Sequence, residues 1–426
     1  MCVLCAREAK SRKEASGMNE ENMQSFEAKN DSPKIDKKDL VLSLFAVLLS
    51  GCVLSGAIPA SFIGLAVGAL FAYTVIAVRN IGAVIQLLLI SIIATVLTFL
   101  PVSGAIVLAL MLGTGTLAWL FMTLPKYKWS PVILLAVAYG VGFLVSSNPV
   151  TPLLSFAFLP AAALMAWAHA RDLGRTLTVL HALLGFLLVV LAALCVFLWH
   201  TYGSVNYDAL MRLVDGLKDL FVAAGIEVGN KVLENFDLLI APSGVSADAV
   251  AQMRGGYIAL FAESNLRAIA DLLMGAAPAL IIAPTMILSY LADVVLLRKY
   301  YNTEWRSKMT PAACSLTISP AAGVVYFVCF LIFMFANKTT LFTMAITNMC
   351  IILLPGLCLT GVNVILQNAR RSKGFMGVAS VLLLVAAVCC LGLSSFYFVA
   401  LWGAYATITA ALHQKIIQKM KDRDEK

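Results

Sequence analysis

Long apolar segments recur along the chain from residue 40 onward, and they constrain its fold more than any other feature. A helix needs about 20 residues to cross about 30 Å of hydrocarbon. We therefore predict an all-α, polytopic transmembrane helix bundle of about 10–12 spans, with one extracytoplasmic helical loop. The predicted spans are Leu40–Ala57, Pro59–Val78, Ile81–Leu100, Val102–Leu124, Pro131–Ser147, Leu153–Ala170, Leu177–Trp199, Ile269–Leu297, Ser315–Ala336, Leu341–Gln367, Phe375–Leu391 and Phe396–Leu412.

Some of these twelve segments are short for a membrane crossing. Members of 17 or 18 residues occur among the first two spans, the fifth and sixth, and the last two. These pairs could instead be re-entrant or tilted fragments, which leaves ten spans as the alternative. Composition agrees with a membrane protein in either case, because 61% of residues are hydrophobic and only 13% are charged. Soluble domains are about 45–50% apolar and about 25% charged.

Basic residues are concentrated at alternate junctions between the spans. A net charge of +8 is compatible with nucleic acid binding. The chain lacks a basic-aromatic module of that kind, however, so no nucleic acid partner is predicted. Seventeen Lys and Arg residues lie at one set of junctions and in the C-terminal tail, whereas the short loops of the other set carry only Lys338. The positive-inside rule then places both termini in the cytoplasm. The seventeen include Arg175, Arg298 and Lys299.

The order of spans and polar segments predicts five regions. Residues 1–38 form a polar, disordered cytoplasmic tail, 39–200 a first bundle of about seven spans, and 201–268 the extracytoplasmic loop. Residues 269–412 form a second bundle of about five spans, followed by a basic cytoplasmic tail over 413–426.

The long loop shows helical periodicity. Its apolar positions from Leu210 to Phe221 predict one amphipathic helix, and those from Val228 to Ile240 predict a second. Pro242–Gly244 would end the second helix, and Ser246 or Asp248 would cap a third. A helical cap, or helices lying on the membrane surface, is favoured over a lid above a substrate entrance.

Sequence motifs for catalysis or metal binding are not found. None of the four histidines lies at ligand spacing with another ligand, and neither HExxH nor a phosphate-binding loop occurs. Cys2 and Cys5 form a CxxC pair without a second pair, and most other cysteines lie singly in apolar runs, where they behave as small hydrophobes. We predict no catalytic residues, no metal and no cofactor.

Polar residues and prolines within the spans are the candidates for a binding site. An unpaired polar group in hydrocarbon costs several kcal/mol, so such groups face a bundle interior or a wet cavity. The candidate substrate-binding residues are Arg267, Asp271, Asp293, Asn348, Asn363 and Gln367, and the candidate helix breaks are Pro278, Pro284, Pro320, Pro355 and Gly356. Transporters use broken helices at binding sites. The alternative is ordinary proline kinks, amide bonds between helices, and an Asp293–Arg298 pair.

Small residues cluster in two spans, at residues 112–116 and 139–142. Both clusters predict close helix approach. Gln86, in the third span, is interpreted as a bond between helices.

The C-terminal third resembles the YybS-like membrane proteins of Gram-positive bacteria. The matching features are Tyr300–Arg306, Met309-Thr310-Pro311, Asn348 within a span, and Gly361 before Val362–Ile365. The N-terminal spans around Pro59 and Pro101 resemble that family too, and the family is similar to the substrate-binding components of energy-coupling-factor vitamin transporters. The resemblance implies an external ATPase module as a partner.

Two hypotheses follow for function. The first is a transport protein, or a substrate-binding membrane component, for a small molecule. The second is a non-transporting scaffold or regulator of envelope growth or sporulation, with envelope proteins as partners. An integral-membrane enzyme is the least favoured.

Overall fold

The computed structural model describes residues 37–78, 101–124, 129–146, 150–171, 173–236, 246–300, 318–335, 341–371 and 395–424. These residues are almost entirely helical and contain no strand. The helices are α1 (Lys37–Leu54), α2 (Ile63–Val78), α3 (Pro101–Thr123), α4 (Trp129–Ser146), α5 (Leu159–Ala170), α6 (Arg175–Tyr202), α7 (Tyr207–Glu234), α8 (Ala247–Leu260), α9 (Glu263–Tyr300), α10 (Pro320–Phe335), α11 (Leu341–Arg371) and α12 (Ser395–Asp424), with 3-10 turns at Ala60–Phe62 and Thr151–Phe156.

Seven helical segments among the described residues are long and apolar enough to cross a membrane, and two shorter helices are also apolar. The predicted all-α polytopic bundle is confirmed. The chain is a multi-pass membrane protein.

Helices occupy ten of the twelve predicted span positions. The third and eleventh spans, Ile81–Leu100 and Phe375–Leu391, and also Gln86, lie outside the described residues. The sixth span is divided, because the 3-10 turn Thr151–Phe156 precedes α5. The last helix does not end at Leu412 but continues through the basic segment to Asp424.

The chain forms two compact units. Unit 1 comprises residues 1–186 and 287–317, and unit 2 comprises 187–286 and 318–426. Helices α6 and α9 each contribute one part to each unit, because the division falls at Phe186 in α6 and after Met286 in α9.

Helix α3 lies at the centre of unit 1. Within an 18-residue window of its apolar stretch Ser103–Thr123, 72% of the residues are buried, against 22% in α4. The predicted close approach at its small residues is observed. A Cβ on Gly113 would lie 3.1 Å from the ring of Phe158, and one on Gly115 would lie 2.6 Å from the carbonyl oxygen of Ala292 in α9. Small residues therefore seat the C-terminal part of α9 against α3.

In unit 2, α10, α11 and α12 pack against one another around a buried cluster that includes Tyr326, Cys350, Leu357 and Ala400. The closest approach joins α11 to α12. A Cβ on Gly361 would lie 2.2 Å from the carbonyl oxygen of Val399. Backbone-to-backbone contact of this kind is the usual way in which membrane helices gain van der Waals energy.

Packed helix pairs show the relative directions of the chain. In unit 1, Gly115 and then Trp119 of α3 meet Val295 and then Lys299 of α9, so these two helices run parallel. In unit 2, Asn348 of α11 bonds Gly275 of α9, and further along both helices Gly356 approaches Met286, so this pair is also parallel.

Two further pairs can be read in the same way. Helices α1 and α4 run parallel, because Gly51 meets Ala138 and Ser55 meets Gly142. Helices α10 and α12 run antiparallel, since Gly323 approaches Thr407 whereas Phe333, ten residues later, stacks on Tyr397. All four directions agree with the predicted numbering of the spans, in which odd and even members alternate. Which side is cytoplasmic stays a prediction.

The α7–α8 segment differs from its prediction. The positions of Val228 and Val232, predicted to begin a second helix, belong to α7, which runs without interruption for 28 residues from its cap at Asn206. Residues 221–228 contain no proline and only one glycine, Gly225, so the local sequence provides no signal that would end the helix there. A third helix does start at Ala247 after Ser246, although the Ser246 hydroxyl makes no capping bond.

The predicted helix breaks are not breaks in the helices. Pro278 and Pro284 lie inside the continuous helix α9, Pro355 and Gly356 lie inside α11, and Pro320 is the first residue of α10. A proline at the first helical position loses no intrahelical bond. A proline inside a helix leaves a backbone carbonyl without its usual hydrogen bond. Transmembrane helices tolerate such prolines because groups on neighbouring helices, or local changes in helix geometry, supply the missing bonds.

Candidate functional site

A buried ion pair joins the C-terminal part of α9 to the start of α6. The guanidinium Nε of Arg175 donates to Oδ2 of Asp293 at 2.7 Å, and the side chains are 11% and 1% exposed. The guanidinium carbon also lies 4.8 Å from the centroid of the Tyr290 ring. Asp293 lies within the apolar span Glu263–Leu297, and an ionisable side chain at such a position marks a functional site by default.

A tight turn between α5 and α6 positions Arg175. The N–H of Leu173 bonds the carbonyl of Ala168 at 3.1 Å, and the N–H groups of Leu177 and Thr178 bond the carbonyl of Gly174. Arg175 is therefore the first residue of α6. Further along α6, Gly185 lets this helix approach α5 so closely that a Cβ would lie 2.4 Å from the Cα of Ala161.

Lys299 lies in the last turn of α9 and is also buried, with 9% of its surface exposed. Its ammonium lies 4.0 Å from the centroid of the Trp119 ring and 5.0 Å from that of Tyr73. Lys299 Nζ also donates to the Ser43 hydroxyl, which in turn donates to the backbone carbonyl of Asp39. We call Ser43, Tyr73 and Trp119 the Lys299 cage; they come from α1, α2 and α3.

The cage residues are themselves buried and bonded. Trp119 and Tyr73 are both buried. The hydroxyl groups of Tyr73 and Thr116 form a hydrogen bond of 3.1 Å. Each aromatic face attracts a cation through its quadrupole. Lys299 lies two residues beyond the apolar span, and burial lowers its pKa to about 7, while the charge of Asp39 acts in the opposite direction.

Sequence reasoning missed Arg175 and Lys299 as site residues, because both looked like charges at a membrane boundary. The signal that could have found Lys299 is helical spacing: Lys299 follows Val295 by one turn, on the face of α9 that packs against α3. No such signal exists for the partner of Asp293, which is 118 residues away. The side chain of Arg298, the predicted alternative partner, lies outside the described residues.

Asn348, the central predicted ligand residue, bonds helix backbone in unit 2. Its amide Nδ2 donates to the carbonyls of Gly275 at 2.8 Å and Met344 at 3.0 Å, and its Oδ1 accepts from the N–H of Ala279 at 3.2 Å. In a regular helix the N–H of residue 279 pairs with the carbonyl of residue 275. The Asn348 amide therefore bridges two backbone groups of α9, one on each side of Pro278. This contact is a hydrogen bond between helices, as the alternative interpretation of the polar residues expected.

Replacing Asn348 by Leu should consequently destabilise the protein. The change removes the amide that bridges Gly275 and Ala279 inside an apolar environment, and we expect a loss of about 1–3 kcal/mol. Unfolding in mixed micelles with increasing SDS measures this loss. Thr347→Val is the matched control, because the Thr347 hydroxyl bonds only the carbonyl of Thr343 in its own helix among the contacts found. Equal stability of the two variants would contradict the bridging role.

Arg267 and Asp271 lie at the exposed start of α9 and pair with other helices. Asp271 accepts from Lys218 of α7 at 2.7 Å, and Arg267 contacts Glu263 at 3.0 Å and Asp219 of α7 at 3.5 Å. Both of these candidate substrate-binding residues are more than half exposed, at 57% and 58%. Exposed pairs of this kind contribute little to stability, about 0–1 kcal/mol. They tie α7 to α9 and are not brought together with Asp293 or Asn348 by any contact found.

The remaining predicted ligand residues are Asn363 and Gln367. Their backbone belongs to α11, but their side chains lie outside the described residues.

One cavity lies within unit 2, between α7, the end of α8 and the start of α9. Its volume is about 400 Å³, and apolar side chains such as Phe221, Phe261 and Ile269 line it. Binding sites for small polar molecules need a few placed polar groups. The residues that line this cavity offer none.

Comparison with protein family models, with curated proteins and with solved structures finds no match to this chain. The resemblance to the YybS-like proteins therefore stays a prediction.

Proposed function

We propose that this protein is a membrane transport protein, or the substrate-binding membrane component of a transporter, for a small molecule. The observation that supports the proposal is the Arg175–Asp293 pair, held within the apolar bundle of unit 1. A buried ion pair is often no more stabilising than apolar residues of equal volume, so its presence calls for a role beyond stability. Intramembrane ion pairs of this kind occur on substrate and ion pathways.

In this proposal the pair is broken and reformed during the working cycle. An anionic group on a substrate would compete with Asp293 for Arg175, because a guanidinium binds carboxylates and phosphates through the same fork of donors. An external ATPase module, implied by the YybS-like resemblance, would supply energy.

The first experiment is a native mass spectrum of the protein purified in mild detergent. A co-purified small anion, or a co-purified ATPase module, would support transport. Any anion found is then used in a thermal-shift titration of the unaltered protein and of the double variant Arg175→Met/Asp293→Met, whose two apolar side chains can replace the pair without leaving a buried charge. We expect the double variant to fold and to lose at least tenfold in affinity. An unchanged affinity would overturn the role of the pair.

A second candidate function is a scaffold or regulator that acts through the α7–α8 segment. This function is favoured by the ion pairs that fix α7 to α9, and by the use of Arg267, Asp271 and Asn348 in helix contacts. Replacing residues 205–262 by a Gly-Ser linker should then abolish the cellular phenotype while α10, α11 and α12 still fold together. Retention of the phenotype in this deletion would exclude the scaffold function.

A further inference from the structure

Helix α7 is held at the boundary where two membrane spans end. Helix α6, an apolar span from Arg175 to Tyr202, ends just before α7 begins at Tyr207. Because neither α7 nor α8 is among the described helices that can cross a membrane, α6 ends on the side of the membrane where α9 begins. In the middle of α7, Lys218 bonds Asp271 at 2.7 Å, in the first turns of the α9 span. Helix α7 therefore lies along the membrane boundary and is fixed there at two points.

One side of α7 packs on protein. Val222 on this side is buried, with 5% of its surface exposed. A Cβ on Gly225 would lie 2.8 Å from the side chain of Leu266 in α9, and one on Gly229 would lie 2.6 Å from the ring of Phe261 at the end of α8. These contacts leave the other sides of α7 free to meet the surroundings of the protein.

A second side of α7 is apolar and exposed. It carries Leu213, Leu217, Leu220, Ala224 and Val228, which recur at intervals of three or four residues and therefore share one face of the helix. The exposed fractions are 44% for Leu217, 69% for Leu220 and 52% for Val228. We call these five residues the α7 apolar flank. Contiguous apolar surface is unfavourable in water, and a helix fixed at the membrane boundary can bury it among acyl chains.

The third side of α7 is charged and lies opposite the apolar flank. It carries Asp208, Arg212, Asp215 and Asp219. Helix α7 as a whole contains five acidic and three basic residues, and α8 contains one of each. Charge therefore does not attract this segment to anionic lipid, because such attraction needs a basic polar face. Contact with the hydrocarbon of the membrane is what the apolar flank offers.

The cavity between α7, α8 and α9 continues the apolar flank. Ala224 and Val228 of the flank line it, together with Phe221, Phe261 and Ile269. Ile269 belongs to the α9 span and is 38% exposed, so the cavity opens at the end of a membrane-crossing helix. The residues that line the cavity offer no polar group, which disfavours a polar ligand, whereas an acyl chain needs none.

We propose that the α7 apolar flank and this cavity bind the acyl chains of phospholipids in the membrane leaflet where α6 ends and α9 begins. Helix α7 then lies in the interface with its charged side toward water. The lipid is selected by its acyl chain and not by a negatively charged headgroup. The inference is independent of the proposed transport function, and it gives the α7–α8 segment a role that needs no protein partner.

Photocrosslinking from single positions on α7 tests the proposal. Benzoylphenylalanine replaces Leu217, Phe221 or Ala223 in the full-length protein, one position in each variant, and the variants are reconstituted in phosphatidylcholine vesicles. Leu217 lies on the apolar flank and Phe221 lines the cavity, whereas the exposed Ala223 lies about 120° around the helix from Leu217, on the charged side. After irradiation, we expect the intact mass to rise by one phospholipid at Leu217 and Phe221, with at least about tenfold less adduct at Ala223.

Equal lipid adduct at Leu217 and Ala223 would overturn the proposal, because α7 would then have no side that faces lipid. A crosslink from Leu217 to a second copy of the protein would overturn it too, since protein would then cover the flank. Headgroup charge is tested by replacing part of the phosphatidylcholine with phosphatidylglycerol. We expect the two lipids to be captured in proportion to their amounts, and strong enrichment of phosphatidylglycerol would contradict selection by the acyl chain.

The unaltered protein provides the same test if a variant does not fold. It is irradiated in vesicles that contain phosphatidylcholine with a benzophenone on the acyl chain, and the modified residues are identified in peptides. We expect adducts on Leu217, Leu220 or Val228 and none on Arg212 or Ala223. Absence of adducts from α7, or adducts distributed equally over its sides, would contradict the proposal.

Discussion

Breaking the Arg175–Asp293 pair from one side should produce the largest loss of stability of any single change in unit 1. Asp293→Asn removes the carboxylate that the Arg175 guanidinium binds at 2.7 Å, and we expect the free energy of unfolding to fall by about 3–5 kcal/mol. Arg175→Met should cost less, because an isolated carboxyl can take up a proton and become neutral whereas a guanidinium cannot lose one. Unfolding in mixed micelles with increasing SDS measures both variants.

The double variant Arg175→Met/Asp293→Met separates burial from pairing. It leaves no isolated charge, so we expect it to recover most of the loss seen in Asp293→Asn. Glu227→Gln is the control, because it removes the exposed pair with Lys231, whose side chains are both 68% exposed, and it should change stability negligibly. If Asp293→Asn is as stable as Glu227→Gln, the buried pair does not exist in the folded protein.

Adding one methyl group at Gly361 or Gly403 should disrupt unit 2. The new Cβ would lie 2.2 Å from the carbonyl oxygen of Val399 in the first case, and 2.1 Å from that of Leu357 in the second. These neighbours are backbone atoms that cannot rotate away, so α11 and α12 must separate. We expect each Gly→Ala change to cost about 3 kcal/mol, at the upper end for overpacking. The double change should cost less than the sum, because both methyl groups enlarge the same contact.

Gly140→Ala provides the matched control for these changes. Gly140 lies in the apolar helix α4 and has nothing within 4 Å of an added Cβ. Alanine should be neutral there or stabilise the helix by up to about 1 kcal/mol. Thermal unfolding and the fraction of monodisperse protein in size-exclusion chromatography report both effects. Equal behaviour of Gly140→Ala and Gly361→Ala would contradict the close approach of α11 and α12.

The helices could be predicted because their signals are local. Each apolar run is long enough to cross hydrocarbon, and turns or charges separate it from the next. All ten predicted spans that fall on described residues are accordingly helical. The small residues of α3 were also informative, since Gly115 permits the contact that was expected of it. The alternation of span directions followed from the order of the predicted spans, and the four helix pairs agree with it. The cytoplasmic side assigned from Lys and Arg stays a prediction.

The candidate site was predicted only in part. Asp293 was identified from its position within a span, but its partner was not, because charge and hydropathy carry no information about contacts 118 residues apart. Asn348 was identified as an unusual polar residue, yet its role depends on which groups of α9 lie opposite, and these are the backbone groups around Pro278. The prolines suggested broken helices, whereas α9 and α11 continue through them.

The sequence by itself determined the class of this protein, because the requirement to satisfy every backbone group in hydrocarbon leaves helices as the solution for long apolar runs. Tertiary structure alone decided that α9 is divided between two units and that Lys299, one of many basic residues at a span junction, enters an aromatic cage. The physical reason is that the free energy of a buried charge depends on the groups brought to it by other helices, and not on its neighbours in the chain.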